Sequence, residues 1–410
     1  MHIGNNMRVV FVNLHANAFL VKTSDKILFK RSASVKHKYL LDYLLSREDV
    51  QVCSYINDYG FSLYKNGSKL SRILARLFGK FEHRYILKKN GIDRKKVKLL
   101  EAKDITDDDI VLSYVNGLDS LQQVSDLPAF KVASALHFLG EKKPSEVAKV
   151  AGVVRLFDES NLKIFSKAFQ IRYDWYDKDV LVHPFVFAPR FKKIVPFSER
   201  ECRCFSTGTI IDLPREEFTE IYGDPCNQPS RRQVYENQEE LKPWIECTNN
   251  YYLEDDELKQ VKPNDNFIVK AYKVFYNQSH TGRQKKYFSF DMVERFNHFK
   301  MFLVGEEVVG IPGIGFVEGM ACGSAFIGQN FGIYEQYGMQ EGIHYIGYDG
   351  TLDDLKSKIV YYQQPEHQEE LECIANAGYD FAQTHFRGDV VAQELLDKLQ
   401  KAQAEWKASK

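Results

Sequence analysis

Seven cysteines, Cys53, Cys202, Cys204, Cys226, Cys247, Cys322 and Cys373, occur in 410 residues, and no two are spaced Cys-x-x-Cys. An odd count without that pair excludes a zinc ribbon and argues against a disulfide framework, leaving reduced thiols and no metal site. Also lacking is any apolar run near the roughly 18 residues that a membrane-spanning helix needs. The opening residues show no cationic stretch followed by an apolar one, so a cytoplasmic chain is expected, or one resting on the inner face of the cell membrane. Charge of one sign is missing too: 55 Lys and Arg against 56 Asp and Glu leave a net charge of −1. No pull toward nucleic acid arises from that balance, and none is expected as a partner. No Gly-Lys-Ser or Gly-Lys-Thr follows a glycine turn, which removes a P-loop. Neither an internal repeat nor a low-complexity tract is found.

What is present is an ordinary globular composition, 44% apolar and 13% aromatic. At this length, two domains of roughly 150 to 200 residues are expected. The run MRVVFVNLHANAF has the β-branched density of a buried parallel strand and ends in Asn13, His15 and Asn17. A helical pattern comes next in KHKYLLDYLLSRED, then strands in VQVCSYI, IVLSYV (110–115) and KVASALHFL (131–139). Strands alternating with helices predict a parallel α/β sheet with ligands at the carboxyl ends of its strands.

The rhythm breaks at HPFVFAPRFKKIVPFSERE, where Pro184, Pro189 and Pro196 predict a linker over about 184–201. The alternation then restarts: CRCFSTGTIID reads as a strand turning at Gly208, followed by NFIVKAY, the strand HFKMFLVG, and then SAFIG and GIHYIGY. From about Leu352 the tail is helical, with a break near HFRGD. This organisation predicts two α/β halves, 1–190 and 191–410, facing a central cleft.

The most unusual stretch is GIPGIGFVEGMACGSAFIG, 310–328, glycine-rich and apolar around Glu318. In a strand–turn–helix unit, glycines let backbone approach a phosphate, and the helix start offers free N–H groups. Gly313 and Gly315 are placed for that if a helix begins near Phe316. Glu318 then lies in the first turn, where a carboxylate can accept from two adjacent hydroxyls, as a ribose presents them. Close packing of the same turn, with Glu318 only capping a helix, is the plain alternative.

GFVEGMACGSAFIGQN, followed by YGMQEGIHYIGYDGTLDDLKSKIVYY and IANAGYDFAQTHF, resembles the C-terminal half of GT-B glycosyltransferases of the glycosyl-transferase group 1 (family 4-like) superfamily. The likeness covers about 300–390. It implies an α/β fold of two Rossmann-like parallel-sheet domains, the N-terminal one binding acceptor and the C-terminal one binding a nucleotide-sugar donor. It also implies a metal-independent, hexosyltransferase-like reaction with no cofactor beyond the nucleotide-sugar co-substrate. By the same resemblance Glu318 holds the donor ribose, and Gly313 and Gly315 face sugar and diphosphate. Thr207 and Gly208, in STG, lie near the diphosphate, and His137, ending VASALH, faces the donor sugar as a catalytic group.

Two departures stand out. The family's second acidic residue, eight positions before the ribose Glu, is Gly310 here, and the Arg and Lys after the first donor-domain strand are replaced by Thr209 and Ile210. Arg283, Lys285 and Lys286 in TGRQKK are candidate cations for a diphosphate leaving group, with a solvated basic loop as the plainer alternative.

His15, at the carboxyl end of the first strand, is a candidate base for an acceptor hydroxyl. Asp158 and Glu159 are further carboxylates, more in keeping with surface charge, and Cys202 and Cys204 share one strand face as core residues do. Between 69 and 98, eleven Lys or Arg stand against Glu82 and Asp93. Leu70, Ile73, Leu74, Leu77, Phe78 and Phe81 recur there at helical spacing, predicting an apolar stripe turned mainly inward and a basic edge toward an anionic membrane surface. The expected function is transfer of a sugar to a glycan or lipid-linked acceptor in bacterial surface polysaccharide (LPS or capsule) synthesis. A nucleotide-sugar epimerase of the same fold and a non-catalytic nucleotide-sugar or glycan-binding module are the alternatives.

Overall fold

The computed structural model describes residues 7–12, 38–55, 90–113, 124–135, 142–251, 265–280 and 290–410, with single residues between 69 and 88 and Lys259. They form two compact units, 1–184 with 388–410, and 185–387.

The first unit is built on a seven-stranded parallel sheet in the order β3-β2-β1-β4-β5-β6-β7. Its strands are β1 (Met7–Val12), β2 (Val50–Tyr55), β3 (Lys98–Leu100), β4 (Ile110–Ser113), β5 (Phe130–Ser134), β6 (Arg155–Asp158) and β7 (Leu181–Val182). β1, β4 and β5 are almost wholly buried, which is why their sequences read as continuous apolar runs. Helix α1 (Lys38–Ser46) lays Leu40, Leu41 and Leu44 on this sheet. At the base of β1, Arg8 grips the buried Asp109 through Nε and Nη2, both at 2.6 Å. That fork ties the strand to the turn before β4.

The C-terminal helix, Gly388–Ala408, belongs to the same core. Ala392, Leu395, Leu396, Leu399 and Ala402 are buried in one cluster with Val9, Phe11, Leu40, Leu41 and Leu44. This differs from the expected assignment of 388–410 to the second half. The apolar positions 391, 392, 395, 396, 399 and 402 make a helical stripe whose partner is β1 and α1, and sequence proximity does not decide such a partner.

The second unit holds a five-stranded parallel sheet, β10-β8-β12-β13-β14. The strands are β8 (Glu201–Ser206), β10 (Ile245–Cys247), β12 (Phe299–Leu303), β13 (Ala325–Gln329) and β14 (Ile346–Tyr348), with β9 (Thr209–Ile210) and β11 (Asn250–Tyr251) pairing alongside. The helices of this unit include α2 (Pro229–Glu236), α3 (Phe267–His280), α4 (Met292–His298), α5 (Gly315–Ala321), α6 (Leu352–Gln363) and α7 (Gln368–His385). NFIVKAY forms the start of α3. The tail is helical as expected, breaking between His385 and Gly388.

A buried cation closes this unit. The Arg200 guanidinium donates to the carbonyls of Val195 (2.9 Å) and Cys322 (2.8 Å), to Ser324 Oγ (3.2 Å) and to Asn297 Oδ1 (3.3 Å). It thereby places positive charge at the carboxyl end of α5, where the helix dipole is negative.

Candidate functional site

The carboxyl ends of β8, β12 and β13 bring together loops that are far apart in sequence, at the edge where open α/β sheets bind ligands. From β8 the chain passes Thr207 and Gly208, the latter at φ +142. From β12 it passes Val304, Gly305, Glu306 and Glu307 before reaching the glycine-rich stretch.

One side chain organises these loops: Arg231, in the first turn of α2, with Pro229 opening that helix. It is buried, donating from Nη1 to Thr209 O at 2.8 Å and from Nη2 to Gly305 O at 3.0 Å. A methyl group on Gly208 would lie 2.6 Å from its Nε, one on Gly305 3.0 Å from its Cγ, and one on Gly313 2.7 Å from its Nη2. Three glycines from three loops therefore make room for a single guanidinium. Thr209 and Ile210 stand where the resemblance puts cations, and a cation reaches Thr209 from α2 instead. Sequence reasoning missed Arg231 because its neighbours lie more than twenty positions away and its own surroundings, PSRRQ, carry no motif.

The glycine-rich stretch is the strand–turn–helix that the sequence predicts. Gly313 and Gly315 press on Val304, where added methyls would meet its side chain at 2.5 and 2.9 Å, and a methyl on Gly319 would meet the Phe302 ring at 2.4 Å. Close approach of α5 to β12 thus accounts for these glycines in part. Glu318 is half-buried on α5. Burial raises its carboxyl to about 7, while the charge of Arg190 pulls the other way.

Gly310 has its own reason. It sits at φ +84 in a tight turn, donating to Glu307 O at 2.9 Å, while Glu307 N donates to Ile311 O at 2.9 Å. A left-handed backbone there favours glycine over a carboxylate residue. The acidic residues of this loop are instead Glu306 and Glu307, which sequence reasoning also passed over. Glu306 Oε1 accepts from Tyr334 OH (2.5 Å) and Gln329 N (2.9 Å), and among the described residues Oε2 has no hydrogen-bond partner. Desolvation raises this carboxyl above its usual range, with the Tyr334 hydrogen bond opposing it. Glu307 accepts from Asn227 Nδ2 (2.9 Å) and Gln228 Nε2 (3.1 Å), fastening the loop to the segment before α2.

The other expected residues fall in several places. Thr207 is buried beside Gly208. His15, His137, Arg283 and Lys285 lie outside the described residues. In the first unit Asp158 and Glu159 are fully buried at the carboxyl end of β6, not surface charges. Near them, the His183 Nδ1 lies 3.2 Å from Tyr39 OH. Cys204 is core, as its strand face predicts, and Cys202 is half-buried. Among the described residues no group of three or more His, Cys, Asp or Glu is arranged to hold a metal ion.

No family model matches the chain, and no curated protein matches it either. Among solved structures, Anabaena HepE in complex with UDP and glucose is similar with a TM-score of 0.50 and 11% identity, over 96% of this chain and 100% of that one. The fold is GT-B. Also similar are a glycosyltransferase from Rickettsia africae (TM-score 0.44, 10% identity, 97% and 99% of the two chains) and sucrose-phosphate synthase from Thermosynechococcus elongatus (0.49, 10%, 97% and 99%). At these identities the likeness is one of fold.

Proposed function

We propose that this GT-B chain is a glycosyltransferase that takes a sugar from a nucleotide-sugar donor and passes it to a glycan or lipid-linked acceptor. The observation that carries the reading is Arg231, lodged among Gly208, Gly305 and Gly313 at the carboxyl edge of a parallel sheet, with Glu318 on the nearby helix α5. A nucleoside diphosphate presents what such a site complements: two phosphates for a fixed cation and backbone N–H groups, and a ribose diol for a carboxylate. UDP and UDP-glucose, bound by Anabaena HepE, are the natural first probes.

In this reading the second unit binds the donor and the first unit the acceptor. Arg231 neutralises charge that develops on the diphosphate as the bond to the sugar breaks, so its help is greatest in the transition state. Glu318 fixes the ribose, and Thr207 and Gly208 line the diphosphate. Arg283 and Lys285 remain proposed contributors of charge. His137 and His15 are proposed as the groups that face the reacting sugar and the acceptor hydroxyl. A hexosyltransferase reaction without metal is consistent with a cationic side chain doing the neutralising. Surface polysaccharide synthesis is the proposed setting, with the basic segment 69–98 turned to an anionic membrane surface.

The test is a thermal-shift panel of nucleoside diphosphates and nucleotide sugars, followed by hydrolysis of any donor that stabilises the chain. Stabilisation by a donor with no turnover on water or any sugar acceptor would leave a binding module. Gly310, standing where the superfamily has a carboxylate, keeps that second reading in view. Release of epimerised sugar would turn the reading to an epimerase.

A further inference from the structure

A hydrogen-bonded circuit closes behind Arg231. Its Nη2 donates to Gly305 O at 3.0 Å. The next residue, Glu306, accepts at Oε1 from Gln329 N at 2.9 Å, and Gln329 Nε2 donates to Ser230 Oγ at 2.8 Å. Ser230 adjoins Arg231 in the first turn of α2, so the ring runs through the loop after β12, the last residue of β13 and α2. It is tightly packed: a methyl on Gly305 would lie 3.1 Å from Ser230 Cβ. Glu306 and its second donor, Tyr334, are both buried.

Tying a loop to a strand end needs only an acceptor, which an amide side chain supplies. A buried carboxyl is a costlier choice, because its ionised form is poorly solvated there. Titratable groups act on it from each element around it: Arg231 from α2, Tyr334 after β13, Tyr345 before β14 and Tyr348 within it. Burial raises all three tyrosines, so they are uncharged at neutral pH, and Arg231 is the cation of the group. On its own loop, Glu307 is engaged by Asn227 and Gln228. Two donors occupy Glu306 Oε1 and, among the described residues, none occupies Oε2. The Arg231 charge therefore acts on this carboxyl through space, favouring its ionised form.

We propose that Glu306 is the positioning residue of Arg231: it anchors the loop whose carbonyl the guanidinium grips, and sets a carboxylate charge against the one offered to a nucleoside diphosphate. This rests on the reading of Arg231 as the cation that meets the diphosphate. The two roles separate with pH. Anchoring needs the Oε1 acceptor alone, whereas the counter-charge exists only once the carboxyl ionises. Desolvation raises Glu306 above the ordinary carboxyl range, so that change comes at higher pH than for an exposed Glu. Before it, Arg231 meets the phosphates unopposed; after it, the carboxylate repels them. Diphosphate binding accordingly favours the protonated form.

The experiment is calorimetric titration of the full chain with UDP, and with inorganic pyrophosphate, which needs no base pocket, in steps from about pH 5.5 to about pH 9. Wild type, Glu306→Gln and Tyr334→Phe are compared. Gln keeps an acceptor for Gln329 N and Tyr334 OH but carries no charge. It should bind like wild type at the acid end and roughly three- to thirtyfold more tightly at the alkaline end. Comparison at a single pH cancels the ionisation of the phosphates and of Glu318. Tyr334→Phe removes a hydrogen bond that favours the carboxylate, so its affinity should begin to fall at a higher pH than that of wild type. A Gln variant that matches wild type throughout, or binds more weakly throughout, overturns the counter-charge while the donor reading stands. Should that variant fail to fold, Tyr334→Phe decides: a pH profile identical to wild type overturns the proposal. Wild type that binds neither probe overturns the donor reading and this inference with it.

Discussion

The Nε of Arg231 lies 2.6 Å from where a methyl group on Gly208 would stand, so side chain and glycine share one space. Gly208 also sits at φ +142, a backbone region L side chains rarely enter. Gly208→Ala is therefore expected to push the guanidinium off Thr209 and Gly305 and to lower both melting temperature and affinity for UDP. Arg231→Gln leaves the glycines alone and removes the charge. Loss of charge-assisted bonds predicts roughly 1.5 to 3 kcal/mol weaker UDP binding, about ten- to a hundredfold. Isothermal titration with UDP checks both, and unchanged UDP affinity in Arg231→Gln would take the cation out of the donor site.

Glu318 gives a prediction that joins stability to binding. Its folded carboxyl is raised to about 7 from an ordinary 4.5, so the folded chain holds that proton more tightly than the unfolded one. The stability this group contributes is whole below pH 4.5 and is lost as pH rises through about 7. The loss amounts to at most roughly 3 kcal/mol. Glu318→Gln abolishes it, so the variant should gain in melting temperature relative to wild type between pH 5 and 8. The same variant should bind donor more weakly by roughly 1 to 3 kcal/mol at pH 8, where the carboxylate is available to a ribose diol. More stable and less able to bind is the pattern of a group retained for its site; equal donor affinity would show Glu318 only packs α5.

How much of this was legible in the sequence depends on the range of each signal. Strands β1, β2, β4, β5, β8 and β12 were readable because a parallel strand buried on both faces is a local apolar run, as MRVVFV is, whereas the short β3, β6, β7 and β10 were not read. Glu318 and its glycines formed a contiguous pattern, and the strand–turn–helix it predicted is present, with Glu318 in the first turn of α5. Arg231 was not legible: its carbonyl partners at Thr209 and Gly305 lie 22 and 74 positions away. Gly310 looked like a lost acid until its turn supplied a reason for glycine. Periodicity between 69 and 98 predicted an apolar stripe turned mainly inward, and the two members of it that are described, Ile73 and Leu77, are exposed, since a stripe of apolar residues does not say how much of it meets the core.

Arg200 should be the most costly single polar deletion in the second unit. Burial lowers its pKa to about 10, which still leaves it charged at neutral pH. Its partners are main-chain carbonyls at Val195 and Cys322 together with Asn297 and Ser324. Arg200→Met strips several buried acceptors at once, and a loss of about 3 to 5 kcal/mol is expected by chemical denaturation. Arg200→Lys should recover only a small part, because one ammonium cannot span acceptors set out for a planar fork.

The C-terminal helix offers a test of which unit holds the donor. Val391, Ala392, Leu395, Leu396, Leu399 and Ala402 are each no more than 3% exposed, and all but Val391 share a cluster with β1 and α1 of the first unit. Burying a Val or Leu side chain contributes roughly 1.5 to 3 kcal/mol, so removing 388–410 withdraws about as much as the whole stability of an ordinary domain. The truncated chain, ending at Arg387, should therefore lose the calorimetric transition of the first unit. Every residue named for the donor in the described structure, from Thr207 through Arg231 to Glu318, lies within 185–387. UDP should accordingly still raise the remaining transition, in proportion to its concentration over its Kd. If truncation removes the UDP shift while that transition persists, residues of the first unit are needed for the nucleotide, and the division of labour between the units must be redrawn.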